Sequence, residues 1–397
     1  MTAASVLPKE LGRMIEWRRA LHANPEVSGN EYQTRAYILS QLEALGISAR
    51  TFEKHAGILA TIEGKGPGGV IALRADMDAL PITENNDLPY RSRNDGVMHA
   101  CGHDGHMAML LGAATALKEN RNSWRGTVKL VFQPSEEAAP NGGAPFMIAD
   151  GILENPKVDM MFGMHLWPDL QYGDIGICRG TMMASSDRFK LILRGAGAHA
   201  GAPHQGIDAV MMTSDVLTAL SRIIHRQTDP RETATINLGT IHGGERYNVV
   251  AKEVVLEGTV RTLNETVRQD IPKRMRRMIQ GICDGYGGSF DLDYQFGYPS
   301  LQNAPDETGF VVLAASRFLG AEHVLSDHKP VLGAEDFAFF AQKVPSAYCF
   351  VGCGVAGAPI RPLHSGSFDF DERALFVGAQ VMEETALAAL TFLERKN

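Results

Sequence analysis

The spacing of apolar residues changes along this chain, and that change constrains the fold more than any other feature. Up to residue 185, short apolar runs alternate with segments of helical spacing. Leu11, Ile15, Ala20 and Leu21 recur near helical spacing, and a second helix is predicted over residues 31–45, ending at Gly46 as a helix C-terminus does. Strands are predicted over 58–62, 70–73, 127–132 and 160–166, with helices over 104–118 and 144–149. Such alternation builds an α/β domain, because each helix must bury its apolar stripe on a sheet. Near Ser186 the texture shifts to an α+β pattern. DRFKLILRG, TATINLGTI and VVLEGTVRTL read as long strands, and residues 207–227 and 265–286 as helices. From about Phe310 the mixed pattern resumes, with a helix at 336–342, a buried strand in AYCFVGCG and a closing helix over 371–393. A chain of 397 residues exceeds what one core serves. The expected organisation is a mixed-sheet α/β domain, residues 1–185 and 301–397, interrupted by an α+β insert, residues 186–300.

Composition narrows the partners. The formal net charge is −8 with no basic stripe, which argues against nucleic acid. Pro8, Lys9 and Glu10 arrive before any signal-peptide apolar core, and no later segment is expected to span a membrane, so the expected location is the cytoplasm, with no membrane partner. Five scattered cysteines, Cys101, Cys178, Cys283, Cys349 and Cys353, read as reduced thiols rather than a disulfide framework.

The strongest local signal is HACGHDGH, residues 99–106, directly ahead of an apolar helix. Cys101 and His103 suit zinc or a neighbouring divalent metal, and Gly102 and Gly105 let the backbone bend tightly. The bland alternative is a loop with a buried thiol and Asp104 as a cap. QPSEEAAP carries Glu136 and Glu137 out of a strand into a proline-flanked turn, so one carboxylate can face an ion and the other a water. Taken alone, an acidic pair is more often a solvated turn. His165 closes an apolar strand in FGMHLWP and His364 sits in a Gly/Ser loop; each singly is more often structural than a ligand, and their weight is collective. Asp76 and Asp78 in RADMDALP follow an apolar strand, at the end where sheets bind ligands. Asp78 could orient a metal-bound histidine there, or simply cap a turn before Pro81.

In order, RADMDALP, HACGHDGH, FQPSEE, GMHLWP, GAHAGAPH, NVVA, GAEDF and PLHSGSFDFDE resemble the hippurate hydrolase and auxin-conjugate hydrolase branch of the aminoacylase/carboxypeptidase metallopeptidase family, over nearly the whole chain. The resemblance implies a catalytic domain with a smaller inserted dimerisation domain, a homodimer or higher homo-oligomer, and two divalent ions per subunit: zinc or manganese, with nickel or cobalt as alternatives. It implies Cys101 as a bridging ligand, His103, His165, Glu137 and His364 as further ligands, Glu136 as general base and Asp78 as the acid behind a ligand. His199 would reach across the dimer to the oxyanion and Asn248 would orient the substrate. His204 and Arg261 are weaker substrate candidates, with surface or structural roles at least as well supported. After His364 the chain reads SGSFDF, where relatives often carry a second histidine and a proline. No chemical role follows for Glu335 and Asp336, which read as packing. The implied reaction is hydrolysis of N-acyl (acetyl, benzoyl or aryl-acetyl) amino acids to a carboxylic acid and a free amino acid. Its rivals are a dipeptidase or carboxypeptidase of the same family, a thiol hydrolase with Cys101 as nucleophile, and a metal-binding relative without turnover.

Overall fold

A computed structural model describes residues 7–396. The leader reading rests partly on residues 1–6, which lie outside the described residues. The chain opens with helices α1 (Leu7–His22) and α2 (Tyr32–Ala44) and strands β1 (Ala49–Thr51), β2 (Ile58–Glu63) and β3 (Val70–Asp76). Helix α3 (His103–Glu119), strand β4 (Thr127–Gln133), helix α4 (Ala144–Ala149) and strands β5 (Met160–Gln171), β6 (Ile175–Gly176) and β7 (Gly180–Met183) follow. Next come β8 (Ser186–Arg194), α5 (Ala209–Arg222), β9 (Ala234–Gly243), β10 (Glu253–Thr262), α6 (Glu265–Tyr286) and β11 (Ser289–Tyr298). The chain closes with β12 (Leu301–Asn303), α7 (Pro305–Leu319), β13 (Val324–Leu325), α8 (Phe337–Ala341), β14 (Ser346–Gly354) and α9 (Ala374–Lys396).

Two compact units divide these elements. One takes the chain up to Met182, Gln302–Lys329 and the residues from Asp336 onward; the other takes Met183–Leu301 and Pro330–Glu335. In the first, the sheet order is β1-β2-β4-β3-β5-β14-β6-β13. Its central strands β4, β3, β5 and β14 run parallel. All seven residues of β3 are buried, which is why it opens on a continuous apolar run, residues 70–73, rather than an alternating pattern; Arg74 and Asp76 are buried charges near its end. Helix α3 is buried from His103 to Leu117 and packs against α1 and α9. By length and composition α9 could cross a membrane, which corrects the expectation that no segment reaches that length; two-thirds of its apolar window is buried, so here it is a core helix.

The second unit is a β11-β8-β10-β9 antiparallel sheet with α5 and α6 against it. Strand β8 alternates: Phe189, Leu191 and Leu193 are buried and Arg188, Lys190 and Arg194 exposed, so one face makes the core. Side chains of Asp208 and Asn264 cap α5 and α6. Sequence reading passed over β11, whose apolar Phe290, Leu292 and Tyr294 are interleaved with Asp291 and Asp293, and over the start of α7.

Candidate functional site

Three neighbouring strands meet at one place: β3 and β4 end there, while β5 passes through it and runs on to Gln171, so His165, expected to close its strand, lies mid-strand. The register sets Asp76, the last residue of β3, opposite Gln133, the last of β4, and Arg74 opposite Gly163 of β5. Asp78, Glu136, Glu137 and His165 therefore emerge side by side. Helix α3 starts there too, after Gly102 turns the chain at φ +85° in the left-handed region that glycine enters without strain. Candidate ligand atoms of Cys101, His103 and His165 lie within 4.8 Å of one another, as do those of Cys101, Glu137 and His364 and those of His103, Glu136 and Glu137. The six residues predicted as five ligands and a base thus come together. Cys101 Sγ is 3.3 Å from His165 Nε2, and His364 Nε2 is 3.0 Å from Glu137 Oε1.

Neighbouring groups fix which atoms face this centre. His103 Nδ1 donates to the Asp78 carbonyl at 2.8 Å, leaving its buried Nε2 without a hydrogen-bond partner. His165 Nδ1 donates to the Leu166 carbonyl at 2.6 Å, so Nε2 is the nitrogen on the cysteine side. The Asp78 carboxylate accepts the consecutive N–H groups of Glu136 and Glu137 at 3.0 and 2.9 Å and the Ser28 hydroxyl at 2.6 Å. Its Oδ1 is also 3.3 Å from His103 Nδ1. Asp78 thus orients the expected histidine largely through its backbone, and its carboxylate chiefly holds the glutamate turn. His364 adopts φ +58°, and its N–H donates to Ala100. Its side chain is 53% exposed, whereas Cys101, His103, Glu136 and His165 are buried.

Charge is unbalanced here in a way a cation would correct. Burial first, then Glu137, Glu136 and Asp76, hold the Cys101 thiol well above its usual pKa. Burial lowers that of His103, but Asp76 and Asp78 outweigh it and bring the ring up to about 10. Against burial, His103 and His106 hold Asp76 well below the usual carboxylate range. Burial and then His106 keep His165 well below its ordinary value, as a neutral imidazole. A buried thiol, a neutral imidazole and carboxylates around His103 Nε2, which has no hydrogen-bond partner, are a donor set that fits borderline divalent metals.

Two supports escaped the sequence reading. His106, one turn of α3 beyond His103, donates from Nδ1 to Asp76 at 2.6 Å and accepts the Leu166 N–H on Nε2 at 2.9 Å. Both nitrogens are engaged, so His106 braces β5 rather than offering a ligand. Its signal was present as the third histidine of HACGHDGH. Glu31, fully buried, accepts the Ser135 N–H at 2.7 Å and hydroxyl at 3.1 Å, holding Ser135 at φ +61°. Burial and then Asp78 raise Glu31 to about 7. No local pattern announces this contact, because its partner is 104 residues away.

Residues 72–388 match the model of the Peptidase family M20/M25/M40. The chain belongs to that family. It is 39% identical to the N-acetyl-L-cysteine deacetylase of Bacillus subtilis over 96% of this chain and 88% of the relative. It is equally identical, at 39%, to the thermostable carboxypeptidase 1 of Saccharolobus solfataricus, over 92% of each. Among solved structures, the Bacillus subtilis YXEP protein, a dinuclear metal binding peptidase from the M20 family, superposes with a TM-score of 0.84 at 34% identity, covering 97% of this chain and 99% of that one. Membership makes the chain an M20 hydrolase with the mixed-sheet α/β fold expected of it.

The other predicted site residues of this M20 chain lie in the second unit. His199 is exposed, pairs in a bridge with Val249, and its Nδ1 accepts the Gly201 N–H at 3.0 Å, so its Nε2 carries the proton. Asn248 is its neighbour, since the Asn248 carbonyl accepts the Ala200 N–H. Arg261 is half-buried on β10, opposite Thr235, and His204 is exposed in the turn Pro203–Gln205.

Proposed function

We propose that this M20 chain is a two-metal amidohydrolase that cleaves N-acyl amino acids, the acyl group being acetyl, benzoyl or aryl-acetyl, to a carboxylic acid and a free amino acid. The observation that carries the reading is the convergence of Cys101, His103, His165, Glu137 and His364 beside Glu136, with both glutamate N–H groups held by Asp78. The first five would hold the ions, zinc or manganese before nickel or cobalt. Such ions supply Lewis acidity, polarising an amide carbonyl and making water acidic near neutral pH. Glu136 accepts the proton of the attacking water on its carboxylate and returns it to the leaving nitrogen, so the C–N bond breaks without releasing an amide anion. Asp78 keeps Glu136 and Glu137 on their separate tasks by fixing their backbone.

From the insert, His199 would donate its Nε2–H to the oxyanion of a partner subunit in a homodimer, while Asn248 would orient the substrate, Arg261 would clamp its carboxylate and His204 would be a further substrate contact. All five cysteines are free and buried, in keeping with the expected cytoplasmic location. A Cys101 nucleophile is disfavoured, because nucleophilic thiols are activated by a lowered pKa, and burial, then acidic neighbours, raise this one.

The test is release of free amino acid from acetyl, benzoyl and indole-acetyl amino acids and from dipeptides, by metal-loaded, chelated and Glu136→Ala protein. The expected result is turnover of acyl amino acids that chelation abolishes and Glu136→Ala lowers by about 10²–10⁴-fold. Preferred cleavage of dipeptides would replace this reading with the carboxypeptidase or dipeptidase one, and chelator-resistant turnover would remove the metals from it.

A further inference from the structure

Residues 134–143, PSEEAAPNGG, form the loop between β4 and α4 that displays Glu136 and Glu137, and both of its ends are tied to one side chain. Asp336 is fully buried. At the loop's start, Gln133 Nε2 donates to Asp336 Oδ1 and Oδ2 at 2.9 and 2.8 Å. At its end, the Gly143 and Ala144 N–H groups donate to Oδ2 at 2.9 and 3.0 Å. Arg74, also buried, donates from one Nη to Asp336 at 2.9 Å, from Nε to Gln133 at 2.9 Å and from its other Nη to Asp76 at 2.6 Å. Asp76 in turn holds His106.

We propose that Asp336 and Arg74 are positioning residues of this hydrolase: Asp336 clasps both ends of the glutamate loop, and Arg74 locks that clasp to the carboxylate bracing the histidines. The loop has two prolines, two glycines and no regular structure, so its backbone has no ladder of its own to hold it. A carboxylate meeting four N–H donors from three chain segments supplies that hold, and the guanidinium opposite balances the buried charge. Neither group has to touch substrate. The effect is to keep Glu136 and Glu137 at a fixed distance from the donors on α3 and β5, since both halves of the site are anchored to Arg74. This rests on the proposed roles of Glu136 and Glu137, but its structural arm does not.

The experiment compares wild type, Asp336→Asn and Gly142→Ala. The second variant presses on the clasp from the loop side, because a Cβ at Gly142 meets the Asp336 carboxylate and Gly142 sits at φ +67°. Backbone hydrogen exchange of 134–144 is expected to quicken about tenfold in both, with β3 and α3 unchanged. Affinity for zinc or manganese alone, by titration calorimetry, should fall about 10–100-fold, and kcat by a similar factor with KM little altered. Unchanged exchange in the loop, or loosening spread through the whole unit in both variants, overturns the proposal. If Asp336→Asn does not fold, Gly142→Ala decides by the same criteria. If wild-type protein hydrolyses no acyl amino acid, the proposed function fails, while exchange and metal affinity still decide on the clasp.

Discussion

The two halves of the candidate site are built by different means. Cys101, His103 and His165 stand at the start of α3 and on β5, buried, with their positions given by elements of the central sheet and the helix that covers it. Glu136, Glu137 and His364 stand on loops. Two of these loops carry a non-glycine residue in the left-handed region, Ser135 at φ +61° and His364 at φ +58°. Such conformations cost roughly a kcal/mol or more and persist only where the surroundings impose them. Around the glutamates the surroundings are carboxylates brought from distant segments: Glu31 on Ser135, Asp78 on the two glutamate N–H groups and Asp336 on the loop ends. Regular elements carry the first half; side-chain ties hold the loops that carry the second.

The largest effect that could break this contrast is on the histidine side. His106 links Asp76 to the Leu166 N–H next to His165, so even this half leans on one side-chain brace. His106→Ala should weaken metal binding and turnover by about 10–100-fold in protein that keeps its native circular dichroism. Wild-type metal affinity in that variant would mean that the sheet alone positions His165, and the contrast would be complete.

A smaller effect is expected at Ser135. Ser135→Val puts a β-branched residue at φ +61°, which adds about 1–2 kcal/mol against the displayed turn and should lower kcat about tenfold. Ser135→Gly removes the strain together with the hydroxyl contacts to Glu31 and Gly29, and should stay within a few-fold of wild type. Equal kcat for the valine and glycine variants would show that the left-handed turn does not govern where Glu136 points.

The same division explains what the sequence disclosed. The parallel strands, the buried α3 and the cluster HACGHDGH are local in sequence, so periodicity and residue type exposed them. The roles of Glu31, His106, Arg74 and Asp336 are not local. GAEDF read as packing because its aspartate meets Gln133, Arg74, Gly143 and Ala144, partners between 192 and 262 residues away. The strand β11 is hidden for another reason: Asp291 and Asp293, of a residue type that strands disfavour, interrupt its apolar positions. Family resemblance supplies the proposed ligand set, but the means by which those side chains are held is legible only in three dimensions.

The smallest effect on the site itself, none on turnover, is expected in a test of whether donors, rather than burial, make a carboxylate useful in this interior. Glu383 on α9 is fully buried like Asp336, yet its Oε1 has no close hydrogen-bond partner and its Oε2 takes the Gln380 amide at a long 3.4 Å, with the Asn120 side chain as a further weak neighbour. Burial first, then Glu384, raise it from an ordinary value near 4.5 to about 8. Between those values the folded chain keeps a proton that the unfolded chain has released, so this group lowers stability steadily as pH rises from 4.5 to 8 and no further above that. Glu383→Gln removes the ionisation without changing shape. It should therefore raise the unfolding free energy by about 1–3 kcal/mol at pH 8.5 and by much less at pH 5.5, as read from urea unfolding at the two pH values. A gain of the same size at both would mean that Glu383 is already satisfied in its ionised form, and that burial with few donors is no handicap to a carboxylate here.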